Sequence, residues 1–390
     1  MARIHRPRGI TLVGLLVLVL VLGVVFRSTV AANARALGVL STTLRVPVAG
    51  WLTGVVTDEP RVADTTVAGA PSVVVRPGGG DGPWPAVVFV NGVTRRGRHH
   101  PDVRRLAIGL ARAGYVVLVP DLPGLARGEI TTRTLAQLIA VARAAAARSD
   151  ARGGRVAFMG VSVGGTLALL AAGDQGLARR TTVVAAVAPY ADLAEVIRLA
   201  TTGRYRTGRR LVRFRAKPFL RLVVARSLVG GLAPGADRDK LRASLLAVPD
   251  DAEDPLAGLL AWPREQLAPE ARALVSLLMN RDPARFDRLY ARLAPAERAD
   301  IARLSPIRGA RRVLARVELA SAPKDKYFPL AESRALAARV PDARLTVTST
   351  LHHAVPRASF HDLADLYRFY AFVVRTLRDA RTLADPGRRR

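Results

Sequence analysis

One serine in this sequence stands between two glycines, at the junction of two different hydropathy patterns. Residues 155–170 read RVAFMGVSVGGTLALL, so an apolar, strand-like run precedes Ser162 and a helical pattern of small residues follows it. On a sharp strand-to-helix turn a serine hydroxyl can attack a carbonyl carbon, and the turn needs neighbours without side chains, here Gly160 and Gly164. The same short pattern also occurs as a packing turn, so a nucleophilic Ser162 requires a base and an acid elsewhere in the chain.

The chain contains six histidines, any of which could be the base that activates this serine. Two of them, His352 and His353, lie in STLHHAVP directly after the last predicted strand. An open α/β sheet places its site at the carboxyl ends of its strands, so this loop is the expected position of a general base. Two adjacent side chains cannot both point at Ser162. The pattern Leu-x-His-Ala-x-Pro favours His353, with His352 as the alternative.

The orienting acid is predicted from its place in the chain order. Asp325 follows the penultimate predicted strand in VELASAPKDKYFPL, which gives the order Ser, Asp, His along the chain. Lys324 and Lys326 flank this aspartate and favour its ionised form, although a surface salt-bridge cluster is the other interpretation of Lys-Asp-Lys. Asp192, after an earlier strand, is a competing acid, but an aspartate in that position is more typical of a helix N-cap.

A negative charge that develops on a substrate oxygen needs two backbone N–H donors. One donor is expected from the residue after the nucleophile, Val163. The second is expected after the strand PAVVFV, in NGVTRRG, where we choose Val93 because Gly92 gives the site access to the backbone. Asn91 either braces this turn or is simply a turn residue.

The composition narrows the classes of chemistry. The chain has no cysteine, which excludes disulfides, thiolate metal sites and cysteine nucleophiles. It has no phosphate-binding fingerprint, because the glycines at 78–80 precede a strand rather than open a helix. With 390 residues, of which 50% are hydrophobic, the chain can bury a sizeable core.

Apolar, β-branched runs alternate with helical patterns from residue 65 onward. The predicted strands are 72–77, 85–92, 114–121, 155–160, 181–189, 312–320 and 344–349. The predicted helices are 102–114, 134–149, 164–173 and 358–378. This alternation predicts an α/β fold with a doubly wound, mostly parallel sheet. The Arg-rich segment 190–310 interrupts it with a helical pattern broken by prolines, and we predict a helical cap over the carboxyl edge of the sheet there.

Together these residues resemble the α/β-hydrolase superfamily, and the surroundings of Ser162 look closest to its dienelactone-hydrolase-like and esterase members. The resemblance spans about residues 65–190 and 310–380. VPDLPGLARG at 119–128 is similar to a loop that many members carry as Pro-Asp-x-x-Gly-x-Gly. Where many members have His-Gly, this chain has Asn-Gly-Val at 91–93.

The resemblance implies acyl transfer to water from an ester, a thioester or an amide. Ser162 would be the nucleophile, His353 the base and Asp325 the acid, with the Val93 and Val163 N–H groups as the oxyanion hole. It implies no metal and no organic cofactor, and it implies a small-molecule acyl substrate as the partner. The alternative from another class is a catalytically inactive, membrane-anchored binding protein with the same fold.

The amino-terminal segment predicts a membrane anchor. Residues 10–26, ITLVGLLVLVLVLGVVF, carry no charge and follow RIHRPR, so the positive-inside rule leaves the N-terminus in the cytoplasm and the catalytic domain outside it. The alternative is a cleaved signal peptide and a secreted domain, because ANA at 32–34 resembles a cleavage site. The predicted organisation is a basic N-terminus, the anchor, a connector, a first core part, the cap, a second core part and a basic tail, at 1–9, 10–26, 27–60, 61–189, 190–310, 311–380 and 381–390.

The formal net charge is +29, and nearly all the basic residues are arginine. Such a charge favours anionic partners, although an Arg-rich composition on a solvated surface is the simpler explanation. No basic run is interleaved with aromatic residues as a nucleic-acid module requires, so we expect no nucleic-acid partner. In the predicted cap, GRYRTGRRLVRFR (203–215) could lie against anionic lipid headgroups or form a solvated basic helix.

Overall fold

The structure, a computed structural model, describes residues 27–44, 58–353, 355–356 and 362–384. The predicted anchor at 10–26 lies outside the described residues, as do the basic N-terminus before it and residues 385–390 of the predicted tail. Within the described part of the chain, no helix is both long and apolar enough to cross a membrane. Anchorage therefore stays a prediction.

An eight-stranded sheet in the order β1-β2-β4-β3-β5-β6-β9-β10 lies at the centre of the fold, and two strand pairs, β7–β8 and β11–β12, lie outside it. The strands are β1 Arg61–Val67, β2 Ala70–Arg76, β3 Trp84–Val90, β4 Val116–Pro120, β5 Ala151–Val161, β6 Thr181–Val187, β7 Arg204–Thr207, β8 Arg210–Arg213, β9 Arg316–Ser321, β10 Ala343–Val347, β11 Leu351–His352 and β12 Val355–Pro356. In the large sheet β2 runs antiparallel to β1 and β4, and all other neighbours pair in parallel. The apolar runs predict every strand of the large sheet except β1, whose side chains are nearly all exposed.

Helices cover both faces of this sheet. The α-helices of the described residues are α1 Arg27–Leu44, α2 Pro101–Arg112, α3 Thr132–Ala146, α4 Val163–Ala172, α5 Leu193–Thr202, α6 Pro218–Gly231, α7 Ala236–Ala247, α8 Pro269–Leu278, α9 Pro283–Ala291, α10 Pro295–Arg303, α11 Pro306–Gly309, α12 Leu330–Arg339 and α13 Leu363–Thr382. Helices α1, α2 and α13 share the apolar core of one face, and α3, α4 and α12 share that of the other. The result is the three-layer α/β arrangement that the sequence predicts.

The segment 27–60, for which the sequence predicts a connector with little periodicity, contains the helix α1. Its buried residues Ala36 and Val39 face α2 and α13. The backbone of α2 approaches α1 at a glycine, since a Cβ at Gly109 would lie 3.3 Å from the Cβ of Thr42. Small alanines make up much of the buried face of α1, so its apolar periodicity is weak and its helix depends on packing against the domain.

Between β6 and β9 the chain leaves the sheet and forms helices α5 to α11 together with the hairpin β7–β8. The hairpin occupies the Arg-rich stretch 203–215, where the sequence favours a helix. Gly208, at φ +58°, and Arg209 form its two-residue turn, and a positive φ suits the tight turn of a hairpin. Leu211 and Val212 are both exposed on β8, so these two apolar side chains face solvent.

A buried carboxylate ties the segment after β6 to α12. Glu332, which is 7% exposed, accepts hydrogen bonds from the backbone N–H groups of Ala191 at 2.7 Å and Asp192 at 3.1 Å. Burial raises the pKa of Glu332 to about 7, and the two N–H donors offset only part of that effect. Because this pKa lies above the ordinary value of 4.5, ionisation of the buried group opposes folding.

The free energy of unfolding is expected to fall as the pH rises from about 4.5 to about 7, by up to about 3 kcal/mol from Glu332. The unfolded chain releases this proton near pH 4.5 while the folded chain holds it to about pH 7, so the stabilisation present at low pH is lost across the window. Glu332→Gln keeps an acceptor for both N–H groups and should flatten the dependence in urea unfolding. Glu253→Gln, at an exposed glutamate, is the control, and equal slopes in both variants would contradict the prediction.

Candidate active site

Ser162 occupies the sharp turn between β5 and α4. The strand ends at Val161 and the helix begins at Val163, which leaves Ser162 with φ 54° and ψ −128°. A positive φ is unfavourable for a residue with a Cβ, and such strain concentrates at functional sites. The Ser162 N–H donates to the Val187 carbonyl at 2.7 Å, and the Ser162 carbonyl accepts from the Thr166 N–H at 3.2 Å. The strand beside the turn and the helix after it therefore hold the strained residue in place.

Two glycines make room for this turn. A Cβ at Gly160 would lie 2.5 Å from the carbonyl oxygen of Gly164. A Cβ at Gly164 would lie 2.2 Å from the carbonyl oxygens of both Val90 and Asn91. These neighbours are backbone atoms, which cannot move aside as a flexible side chain can. Only glycine therefore fits at these two positions, because α4 approaches β5 and the end of β3 too closely to leave room for a Cβ.

Gly164→Ala is expected to lower the free energy of unfolding by about 3 kcal/mol, because the added methyl group overlaps backbone oxygens at the end of β3. Gly231→Ala, at the end of α6, is the matched control, since a Cβ there meets nothing within 4 Å. Its stability should stay within about 1 kcal/mol of the wild type. Urea unfolding measures both variants, and equal stabilities would show that the turn tolerates a side chain at Gly164.

His353 and Asp325 form a hydrogen-bonded pair at the carboxyl edge of the sheet. The His353 Nδ1 lies 2.8 Å from Asp325 Oδ2 and 3.0 Å from Oδ1. The carboxylate, 2% exposed, also accepts from the backbone N–H groups of Tyr327 at 2.7 Å and Phe328 at 3.1 Å. These donors orient the carboxylate, which in turn favours the imidazole tautomer with the proton on Nδ1 and directs Nε2 away from the pair. His353 also has a positive φ, of 58°.

The alternative base and acid occupy other positions. His352 is exposed on β11, so the structure pairs its neighbour His353 with the carboxylate. Asp192 is the N-cap of α5, where its side chain accepts from the Ala194 N–H at 2.9 Å. It also accepts from the Ser305 hydroxyl at 3.3 Å. Asp192 therefore satisfies a helix terminus, as its place in the sequence suggests.

Ser162 and His353 line the same cavity, which has a volume of about 350 Å³. Val93 and Val163, the two predicted oxyanion donors, line it as well. Among the described residues the Ser162 hydroxyl has no hydrogen-bond partner, so a proton transfer to His353 Nε2 would require a closer approach of the two side chains. Catalytic hydrogen bonds are often long in structures without substrate and shorten in the complex.

Two backbone segments converge beside Ser162. Val163 begins α4, so its N–H belongs to the unsatisfied donors of a helix N-terminus. The loop after β3 passes close by, since a Cβ at Gly92 would lie 3.6 Å from the Ser162 Cβ. Asn91 accepts from the Gly92 N–H at 3.0 Å and donates to a loop carbonyl at 3.0 Å, which braces the turn. Val93 then follows as the next residue of the loop at the cavity.

The cavity has further residues that the sequence pattern does not select. His100 lies at the start of α2, and Tyr327 and Phe328 follow β9. The Tyr327 ring centre lies 4.4 Å from that of His353, so it packs against the imidazole. Burial lowers the pKa of His100, and two nearby arginines lower it further. The position of these residues after strand ends is visible in the sequence, but the direction of their side chains is not.

The groups that the structure places at the cavity are a hydroxyl, an imidazole paired with a carboxylate, and backbone N–H donors. This is the set that nucleophilic acyl transfer uses. Within the described ranges, no group of three or more His, Asp or Glu side chains is placed to hold a metal ion.

Residues 71–207 match the X-Pro dipeptidyl-peptidase (S15) family, a range that includes Ser162 and ends before Asp325 and His353. A comparison with curated proteins found no significant match.

Several solved structures are similar at low sequence identity. Dipeptidyl peptidase 4 of Porphyromonas gingivalis is 13% identical over 83% of this chain and 36% of its own, with a TM-score of 0.46. An acylaminoacyl peptidase is 12% identical over 86% of this chain and 43% of its own, with a TM-score of 0.49. A 2,6-dihydroxy-pseudo-oxynicotine hydrolase is 13% identical over 84% and 69%, with a TM-score of 0.44. This chain thus spans less than half the length of either peptidase.

The sheet order, the antiparallel second strand, the helices on both faces and the serine turn after β5 agree with the fold that the sequence resemblance implies. The family match covers the part of the chain from β2 to β7. The fold of this protein is the doubly wound, mostly parallel α/β fold that the sequence predicts.

Proposed function

We propose that this protein is a serine hydrolase that transfers an acyl group from an ester, a thioester or an amide to water. One observation carries the proposal: the strained Ser162 and His353 line a single cavity, and His353 is hydrogen-bonded to Asp325. A packing serine requires neither a positive φ nor a histidine–carboxylate pair across a cavity. A serine nucleophile requires a base and a group that orients the base.

In the proposed reaction, His353 Nε2 accepts the proton of Ser162 as the Oγ attacks the carbonyl carbon. Asp325 holds the Nδ1–H and stabilises the imidazolium that forms. The substrate oxygen, now negative, accepts hydrogen bonds from the Val163 and Val93 N–H groups. The tetrahedral intermediate expels the leaving alcohol, thiol or amine with a proton from His353. Water then attacks the acyl-enzyme by the same route and releases the acid.

A fluorophosphonate tests the nucleophile, because it phosphonylates serine hydroxyls that a neighbouring base activates. We expect one adduct, in the tryptic peptide that begins at Val156 and ends at Arg179 and contains Ser162. Heat-unfolded protein, in which the His353–Asp325 pair is lost, is the control and should not react. An adduct elsewhere, or equal labelling of the unfolded chain, would contradict the proposal. A folded protein with no adduct would favour the inactive binding protein of the same fold.

The S15 family match favours a second candidate with the same mechanism, a dipeptidyl-peptidase that acts on X-Pro substrates. We place an esterase first, because the sequence around Ser162 resembles dienelactone-hydrolase-like and esterase members. Ala-Pro-p-nitroanilide and p-nitrophenyl acetate separate the two. Cleavage of the ester without the anilide supports the esterase, and a higher kcat/KM for the anilide supports the peptidase.

We further propose that residues 10–26 anchor the protein, with the hydrolase domain outside the cytoplasm, and that the basic hairpin β7–β8 contacts anionic headgroups. The uncharged run and the arginines before it support the anchor. The exposed Leu211 and Val212 beside the hairpin arginines support the contact. The full chain should stay with membranes after an alkaline carbonate wash, whereas recovery as a soluble protein that begins after ANA (32–34) would favour secretion.

A further inference from the structure

The cavity that Ser162 lines continues from the carboxyl edge of the sheet into the interior of the fold. It extends between the sheet and the helices α1, α2 and α13, and we name this part the inner channel. The inner channel is lined by Leu40, Leu106, Leu110, Met159, Ala185, Phe369, Phe372 and Leu377. We infer that it binds the acyl chain of the substrate, so that the protein prefers esters of medium-length fatty acids to acetate. This inference rests on the proposed function, since the chain would belong to the ester that Ser162 attacks.

The depth of the inner channel follows from the elements along it. Met159 and Ala185 lie two residues before the ends of β5 and β6, so the channel reaches about 7 Å below the edge of the sheet. On α13 its lining runs from Phe369 to Leu377, a rise of about 12 Å. An acetyl group on Ser162 would leave most of this length empty, whereas a longer chain would occupy it.

The chemistry of the lining selects an apolar occupant. Polar residues of the cavity such as Asn91, His100 and His353 lie in the loops after the strands or at the start of α2, at the carboxyl edge of the sheet. Deeper in the cavity Thr376 is buried, and its hydroxyl has no hydrogen-bond partner among the described residues. One hydroxyl does not supply the several placed polar groups that a polar ligand needs. A hydrocarbon chain needs none, and each methylene that leaves water strengthens binding about fourfold.

Esters of p-nitrophenol that differ only in the acyl chain test the channel. In the wild type we expect kcat/KM for the octanoate to exceed that for the acetate by at least about 100-fold. Leu106 is half-buried on α2 and lines the channel, so Leu106→Trp would place an indole in the channel. It should lower the octanoate-to-acetate ratio at least about 30-fold. Ile108→Trp is the matched control, because Ile108 is equally half-buried on α2 but outside the cavity lining. It should keep the wild-type ratio.

A second substitution narrows the inner channel on the side of the sheet. Ala185→Leu fills it from β6 and should also lower the octanoate-to-acetate ratio. A hydrolase with no chain-length preference, or equal ratios in Leu106→Trp and Ile108→Trp, would overturn the acyl channel and leave the proposed hydrolysis intact.

A binding measurement separates the channel from catalysis. Ser162→Ala protein, which lacks the nucleophile, is titrated with decanoate by calorimetry, alone and combined with Leu106→Trp or Ile108→Trp. Binding that Leu106→Trp weakens at least about tenfold, and Ile108→Trp does not, supports the channel even where no ester is cleaved. No binding, or binding that responds equally to both substitutions, overturns it.

Discussion

Replacement of Ser162 by alanine is expected to lower kcat/KM for an activated ester by about 10⁴- to 10⁶-fold. Alanine keeps the Cβ at the strained turn but offers no nucleophile. Whatever hydrolysis remains would come from substrate binding and from the N–H donors of Val163 and Val93. The measurement is the initial rate of p-nitrophenyl octanoate hydrolysis, compared with the rate of the wild type at the same protein concentration.

A folding control distinguishes this loss from damage to the turn. Because the Ser162 hydroxyl has no hydrogen-bond partner among the described residues, Ser162→Ala should change the free energy of unfolding by less than about 0.5 kcal/mol. Ser276→Ala removes a hydroxyl that donates to the Arg272 carbonyl at 2.7 Å in α8, outside the cavity lining, and should leave kcat/KM unchanged. A folded Ser162→Ala protein with wild-type activity would exclude Ser162 as the nucleophile.

The second large effect is expected at the base. His353→Gly should lower kcat/KM by about 10³- to 10⁴-fold, because no group then accepts the Ser162 proton. Glycine is chosen because it adopts the φ of 58° at this position without strain, and because it leaves the space of an imidazole ring open. Imidazole added to the solution should restore part of the activity. A residue that only supported the fold would show no such rescue.

The adjacent histidine supplies the control for this experiment. His352→Gly should keep kcat/KM within about threefold, since His352 is exposed on β11 and Asp325 is paired with His353. His353→Gly in the Ser162→Ala background should cause little further loss, because the two residues act as one unit. A larger loss of kcat/KM in His352→Gly, restored in part by added imidazole, would make His352 the base instead of His353.

The central strands of the sheet are predictable because their burial leaves a direct trace in the sequence. β3 and β6 are covered by helices on both faces, so they need continuous apolar, β-branched runs. The edge strand β1 carries no such run, because nearly all its side chains face solvent and its position depends on backbone pairing with β2. The helix α1 is equally hard to predict, since its small buried residues gain stability only against α2 and α13.

The basic stretch 203–215 shows a different limit. Its mixture of arginines and apolar residues suits a helix surface or one face of a ribbon, and composition does not separate the two. The positive φ of Gly208 and the pairing of β7 with β8 show that this stretch forms a β-hairpin. Both are properties of the folded backbone.

By itself, the sequence determined which chemical groups this protein brings to its site. The Gly-x-Ser-x-Gly turn and the order of Ser162, Asp325 and the two histidines depend only on residue type and position along the chain. Only the tertiary structure decided which histidine meets the carboxylate, because adjacent side chains point in different directions and the backbone turn at His353 sets them. It also decided that the cavity extends between β6 and α13, since its walls come from elements far apart in the chain that only packing brings together.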